Sequence, residues 1–182
     1  MIEIRIHGRG GQGAVIASKA LAIAFFHEGK HVQAFPTFGV ERRGAPVTAF
    51  TRVDDHPIRL RNFIYTPDHI VVLDATLISS ANVTQGLKKN GWILINTDAA
   101  PSKFNNFSEF RVATVDADSI AIEYRLGTPT SPIVNTAILG AFSKITGIVS
   151  LNSILEGIRD TVPSNKAGNA SAAKEASLRV LT

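Results

Sequence analysis

The sequence predicts an α/β fold, with three layers built around a mixed, mostly parallel sheet. Residues 2–7 alternate apolar and polar side chains, then run through a glycine-rich turn into a helix. Strand-like runs at 69–73, 92–96 and 112–115 then alternate with helical stretches, the pattern of βαβ units. Segments 47–53 and 57–61 read as strands joined through Asp54-Asp55, a hairpin that forces some antiparallel pairing.

Ile2, Ile4 and Ile6 share one face of the first strand. Residues 14–26 are nearly all apolar and rich in alanine, as in a helix buried around much of its circumference; Ala17, Ala20 and Ala24 let it lie close to a sheet. Gly29 is its C-terminal stop, and residues 31–35 form the second strand. Residues 36–46 are irregular. The run His-Ile-Val-Val-Leu at 69–73 is a central strand covered on both faces. Residues 77–89 read as helix. Ser131-Pro132 opens another helix, with Ile138, Leu139, Phe142 and Ile145 on one face and Gly147 at its end. Residues 151–159 and 166–180 are further helices. No repeat, low-complexity tract or linker divides the chain, so residues 1–182 are expected to form a single domain.

Of the 182 residues, 45% are hydrophobic and 19% charged, a composition that buries a core and excludes a disordered chain. The net charge of +4 suits a phosphate-bearing ligand or an acidic partner; by itself it does not point to nucleic acid, and none is expected as a partner. Cysteine is absent, which excludes disulfides, thiolate nucleophiles and cysteine-ligated zinc or iron–sulfur clusters. Electrons in any redox role therefore travel on a cofactor or on another chain. No signal peptide is visible, and no apolar run reaches the ~20 residues that span a bilayer. The expected location is the cytoplasm, without membrane attachment, so the sequons at Asn82, Asn106 and Asn169 are chance matches.

Gly8-Arg9-Gly10-Gly11-Gln12-Gly13 fits G-x-G-x-x-G between a strand and a helix. Glycines permit the sharp turn, the bare N–H groups of Gly10, Gly11 and Gln12 are expected to point outward into the cleft that Arg42 and Arg43 face, and the helix N-terminus favours an anion. An acid should end the second strand to hold a ribose, but that strand ends Gln33-Ala34-Phe35-Pro36, with the nearest acid at Glu41. A free-standing NAD(P)-binding oxidoreductase is thus the alternative reading rather than the main one. Ala14-Val15 stand where a P-loop needs Lys-Ser/Thr. A tight turn against another surface, or a phosphate contact without a full nucleotide site, both remain open. His27-Glu28-Gly29-Lys30-His31 matches H-E-x-x-H, but Gly29 breaks the helix and should part the two rings, so no metal site is expected.

Glu41-Arg42-Arg43 lies in the irregular stretch, near where the glycine loop emerges. Arginine forks suit phosphate or carboxylate. Arg42 and Arg43, with Gly8, Arg9, Gly10, Gly11, Gln12 and Gly13, are the candidate anion contacts, and Phe38 is the candidate for an interface patch. Bracing of a subunit interface is the competing reading of this loop. Asp74 and Asp116 end strands at the edge where such sheets place ligands, and each could also cap the helix that follows. No Ser/His/Asp set, carboxylate pair or metal cluster can be assembled, so no residue is assigned a catalytic role.

The segments His7–Ala14 and Phe35–Pro46 together resemble the two opening motifs of the gamma subunit of 2-oxoacid:ferredoxin oxidoreductases, the second in its pyruvate-type form. Pro67-Asp68, Leu73-Asp74, Ile95-Asn96-Thr97, Asn135-Thr136, Gly140-Ala141-Phe142 and Thr146-Gly147 extend the resemblance over nearly the whole chain. The resemblance implies a Rossmann-like domain that is a non-catalytic subunit of a pyruvate synthase-type enzyme. Such enzymes convert a 2-oxoacid and CoA to acyl-CoA and CO2 while reducing ferredoxin. It also implies alpha, beta and delta partner subunits, which hold thiamine diphosphate and the iron–sulfur clusters. This chain would hold no cofactor of its own, beyond contacts to CoA phosphates. A length of 182 residues is expected of a separate subunit rather than an internal domain.

Overall fold

The computed structural model describes residues 1–37 and 43–182. Its elements are β1 (Ile2–Arg9), α1 (Ala14–His27), β2 (His31–Pro36), β3 (Pro46–Asp54), β4 (His69–Val72), α2 (Leu77–Ser80), β5 (Trp92–Asn96), a 3-10 turn (Pro101–Phe107), β6 (Arg111–Val115), α3 (Ala117–Glu123), β7 (Gly127–Thr128), β8 (Ser131–Pro132), α4 (Ala137–Thr146), α5 (Leu151–Thr161) and α6 (Lys166–Arg179). The six-stranded sheet has the order β2-β3-β1-β4-β5-β6. Strands β1, β4, β5 and β6 pair in parallel, while β3 is antiparallel to both β1 and β2. The sheet is mixed and mostly parallel, as expected.

Strand periodicity divides the core in two. Ile4, Ile6, Val71, Leu94, Ala113 and Val115 face one side, where α1, α4, α5 and α6 complete the larger cluster. Ile70, Val72, Ile93 and Ile95 face the other, beneath Leu77, Val83, Leu87 and Phe107. The layer over that second face is built from the short α2, the 3-10 turn and loops rather than long helices. The small residues of α1 serve a helix as well as the sheet: a Cβ on Gly157 of α5 would meet the backbone O of Ala20 at 2.5 Å and the N of Ala24 at 2.9 Å.

Three expected elements are corrected. Residues 57–61 form no strand. Gln33 Nε2 donates to the carbonyls of Ile58 (3.3 Å) and Leu60 (3.1 Å), and Arg52 Nη2 donates to that of Asn62 (3.2 Å), so side chains occupy the acceptors a ladder would use. The antiparallel pairing comes instead from β3, inserted between β1 and β2. The helix expected over 77–89 stops at Ser80, because Arg5 Nη2 takes the carbonyls of Val83 (2.9 Å) and Gln85 (2.6 Å) and Gly86 turns with φ +74°. Ser131-Pro132 pairs with Gly127-Thr128 in a two-residue ribbon, and the helix begins only at Ala137. Gly147 does end it, in the left-handed conformation.

Two arginines lie under the second face. Arg52 is fully buried, with Nε 2.8 Å from Glu3 Oε1, Nη1 3.1 Å from Gln33 Oε1 and its Cζ 5.5 Å from the Phe35 ring centroid. These partners satisfy a charge that would otherwise be costly to bury. Arg5 donates from Nε to His7 Nε2 at 3.0 Å, a bond that requires a neutral imidazole.

Candidate functional site

The glycine loop leaves the carboxyl end of β1, beside the ends of β4, β5 and β6. It meets the arginine loop directly. Gly10 N donates to Ala45 O (2.8 Å) and Gly44 N to Gly10 O (3.0 Å), so Gly10 and Arg43 form a one-residue parallel bridge. The exposed Arg43 runs along Gly11, its Cγ 3.9 Å from where a Gly11 Cβ would stand. The expected juxtaposition of the two loops is therefore present at Arg43, while Arg42, Phe38 and Glu41 lie outside the described residues.

The expectation that Gly10, Gly11 and Gln12 all turn their N–H groups outward needs correction. Gly10 N is used by Ala45, and Gln12 N donates to Arg9 O at 2.9 Å. Only Gly11 N, of the three, has no backbone partner among the described residues. Pairing with the arginine loop takes the Gly10 donor and a turn within the glycine loop takes that of Gln12, both donors that a ligand would use.

Arg9 and Gln12 point to the other side. Arg9 Nε donates to Asp74 Oδ2 (2.9 Å), Nη2 to Thr76 Oγ1 (2.8 Å) and Nη1 to Gly44 O (3.1 Å). Gln12 Nε2 donates to the same Asp74 oxygen (3.2 Å), while its Oε1 accepts from Arg9 N (2.7 Å). Asp74 is thus the hub that fixes the glycine loop to the end of β4. Burial pushes its carboxyl up, but the bonds from Thr76, Arg9 and Gln12 outweigh this and hold it below the usual range. Gly13 caps α1 in the left-handed conformation (φ 78°) without a side-chain cap, and a Cβ there would overlap the Asn135 amide, whose Nδ2 donates to Gly13 O at 3.3 Å. The Asn135 of the resemblance motif therefore packs on the glycine loop.

Beyond Gln12 opens a cleft of about 500 Å³, lined by Asp74, Asp98, Asp116 and Asp118 together with Asn96 and Thr76. Asp116 caps α3 by accepting from Ser119 N (2.9 Å). Loss of hydration, and then the charges of Asp116 and Asp74, raise the Asp118 carboxyl against a bond from Asn96. This acidity opposes a phosphate, so the candidate anion contacts narrow to Gly11 and Arg43. Sequence reasoning missed Asp98 and Asp118. For Asp98 a signal was present, since each of β4, β5 and β6 is followed within two residues by an aspartate; Asp118, inside α3, has no such mark.

The H-E-x-x-H match separates as expected. His27 Nε2 lies 2.9 Å from Asp160, Glu28 accepts from Ser150 N (2.7 Å) and His31 opens β2 beyond Gly29. Among the described residues no group of three or more His, Asp or Glu could hold a metal ion. Among the described residues no helix is long and apolar enough to cross a membrane.

An open α/β sheet whose first strand feeds a helix through a glycine loop places this domain in the Rossmann-like class. The chain belongs to the pyruvate ferredoxin/flavodoxin oxidoreductase family, whose model matches residues 3–178. It is 55% identical over 181 residues to the pyruvate/ketoisovalerate oxidoreductases common subunit gamma of Thermococcus litoralis, covering 97% of this chain and 95% of that protein. It is 56% identical over 161 residues to the pyruvate synthase subunit PorC of Methanocaldococcus jannaschii, covering 88% and 86%. The crystal structure of the pyruvate oxidoreductase subunit PORC of Thermotoga maritima superposes with a TM-score of 0.82 at 36% identity, covering 98% of this chain and 96% of that one.

Proposed function

We propose that this chain is the gamma-type subunit of a pyruvate-using 2-oxoacid:ferredoxin oxidoreductase, an enzyme that converts the oxoacid and CoA to acyl-CoA and CO2. The observation that carries the reading is identity above one half with gamma and PorC subunits across nearly the whole chain. The subunit itself is non-catalytic in this reading: the chain has no cysteine, and among the described residues no histidine or lysine lines the acidic cleft to activate a nucleophile. Thiamine diphosphate and the iron–sulfur clusters belong to the alpha, beta and delta partners, which pass electrons to ferredoxin in the cytoplasm. The purified chain alone, given pyruvate, CoA, thiamine diphosphate and a dye acceptor, is expected to show no turnover; turnover would refute the non-catalytic role.

Within that enzyme, Arg42 and Arg43, with Gly11 of the glycine loop, meet a CoA phosphate. The support is the Gly10–Arg43 bridge, which sets a cation beside the Gly11 N–H, a donor with no backbone partner among the described residues. Charge-assisted hydrogen bonds of this kind contribute about 1.5–3 kcal/mol each. In the intact complex, the double variant R42A/R43A is expected to raise the Michaelis constant for CoA roughly tenfold or more, with pyruvate dependence little changed. A complex that dissociates, with unchanged CoA dependence in what remains assembled, would instead assign the loop to bracing an interface. Neither effect would make both arginines ordinary surface charges.

A further inference from the structure

The two edges of the sheet are treated differently. At β6, Thr114 N donates to Leu181 O (3.0 Å) and Leu181 N to Thr114 O (2.8 Å), so the C-terminal segment covers that edge. At β2 no described residue pairs with the outer side. Alternate N–H and C=O groups of residues 31–35 therefore face outward, as a template for another strand. Pro36 blunts only its last position.

Beside this edge lies a groove of about 450 Å³, lined by Gln33, Ala34, Phe35, Leu60, Arg61 and Phe63. An aromatic row supports it, with Phe35 and Phe50 ring centroids 5.2 Å apart and Phe50 and Phe63 5.8 Å apart. Leu60 stands 44% exposed at its rim. Arg59 and Arg61 flank Leu60, both exposed and neither in an ion pair among the described residues. The nearby carboxylates are engaged elsewhere, Glu3 by Arg52 and Asp55 by Lys30. An open edge, an apolar trough and two cations specify an extended, acidic segment.

We infer that a partner subunit lays an extended segment along β2 as a seventh strand. It seats an apolar side chain on Phe35, Leu60 and Phe63 and sets carboxylates against Arg59 and Arg61. The inference rests on the assembly reading above and names the surface through which part of that assembly is made.

Hydrogen exchange of the full chain, alone and within its purified complex, tests it. In the complex, amides of residues 31–35 are expected to exchange at least roughly tenfold more slowly than in the lone chain. The exposed-site variants R59E/R61E and L60D, shown by thermal unfolding to be folded, are expected to lower the recovered partner about fivefold or more. If the complex forms and these amides exchange as fast as in the lone chain, the inference fails while the assembly reading stands. Protection of the lone chain that grows with its concentration would assign the edge to a second copy and overturn the proposal. If no complex is recovered at all, the assembly reading fails with it.

Discussion

Replacing Gly140 by alanine is expected to destabilise the protein by about 3 kcal/mol or more, at or beyond the top of the usual range for overpacking. Gly140 lies in α4 where that helix crosses α6, and an added Cβ would overlap the carbonyl oxygen of Ala173 and stand 2.5 Å from its carbonyl carbon. Both neighbours are backbone, and Ala173 is fully buried, so no side chain can swing aside. The two helices must separate, loosening the cluster that also holds Ile138, Leu139 and Phe142. Leucine at the same position is expected to prevent folding. The control is Gly147, where a Cβ meets nothing within 4 Å and only the left-handed backbone (φ 64°) resists alanine, at a cost of about 1 kcal/mol. Urea unfolding orders the two alanine variants, and the leucine variant is expected to show no cooperative transition; equal losses at Gly140 and Gly147 would show that α4 and α6 do not cross so closely.

Acid is expected to unfold the protein through His7 before its carboxylates titrate. Burial, then the charge of Arg5, lower the His7 imidazole to about 3, against a bond to the Val83 backbone. The unfolded chain takes up this proton near pH 6.5 and the folded chain does not, so stability is full above pH ~6.5 and falls as pH drops toward ~3. The slope approaches ~1.4 kcal/mol per pH unit, or about 2 kcal/mol between pH 6.5 and 5. His69, lowered chiefly by burial, adds in the same sense. In H7Q an amide oxygen can still accept from Arg5 Nε, while the titration is gone. Chemical denaturation from pH 5 to 7.5 is expected to show a shallower pH dependence for H7Q. An identical slope in both proteins would mean that His7 is not buried neutral.

The sheet and its large helices were legible because their signals are periodic and local. Ile2, Ile4 and Ile6 mark a face, the run at 69–73 marks a central strand, and Gly147 marks a helix end. The errors at 57–61 and 77–89 share one cause. Arg52 and Gln33 hold the first segment and Arg5 holds the second, through carbonyls up to 80 residues away in sequence, which no local pattern reports. The site divides in the same way. Topology places the glycine loop and the arginine loop at one edge, so their meeting at Gly10 and Arg43 could be expected. That the Ala45 carbonyl takes the Gly10 donor could not, since it depends on the register between loops. The acidic cleft was half legible: Asp74 and Asp116 stood out as strand ends, and Asp98 and Asp118 join them only once β4, β5 and β6 lie side by side.

The most direct measurement is pyruvate oxidation by the complex recovered through an affinity tag on this chain under anaerobic conditions. The account predicts that larger subunits co-purify in fixed ratio and that ferredoxin is reduced only when pyruvate and CoA are both present, with acyl-CoA and CO2 formed. A chain recovered without partners, or a complex that reduces ferredoxin with no oxoacid or without CoA, would contradict it.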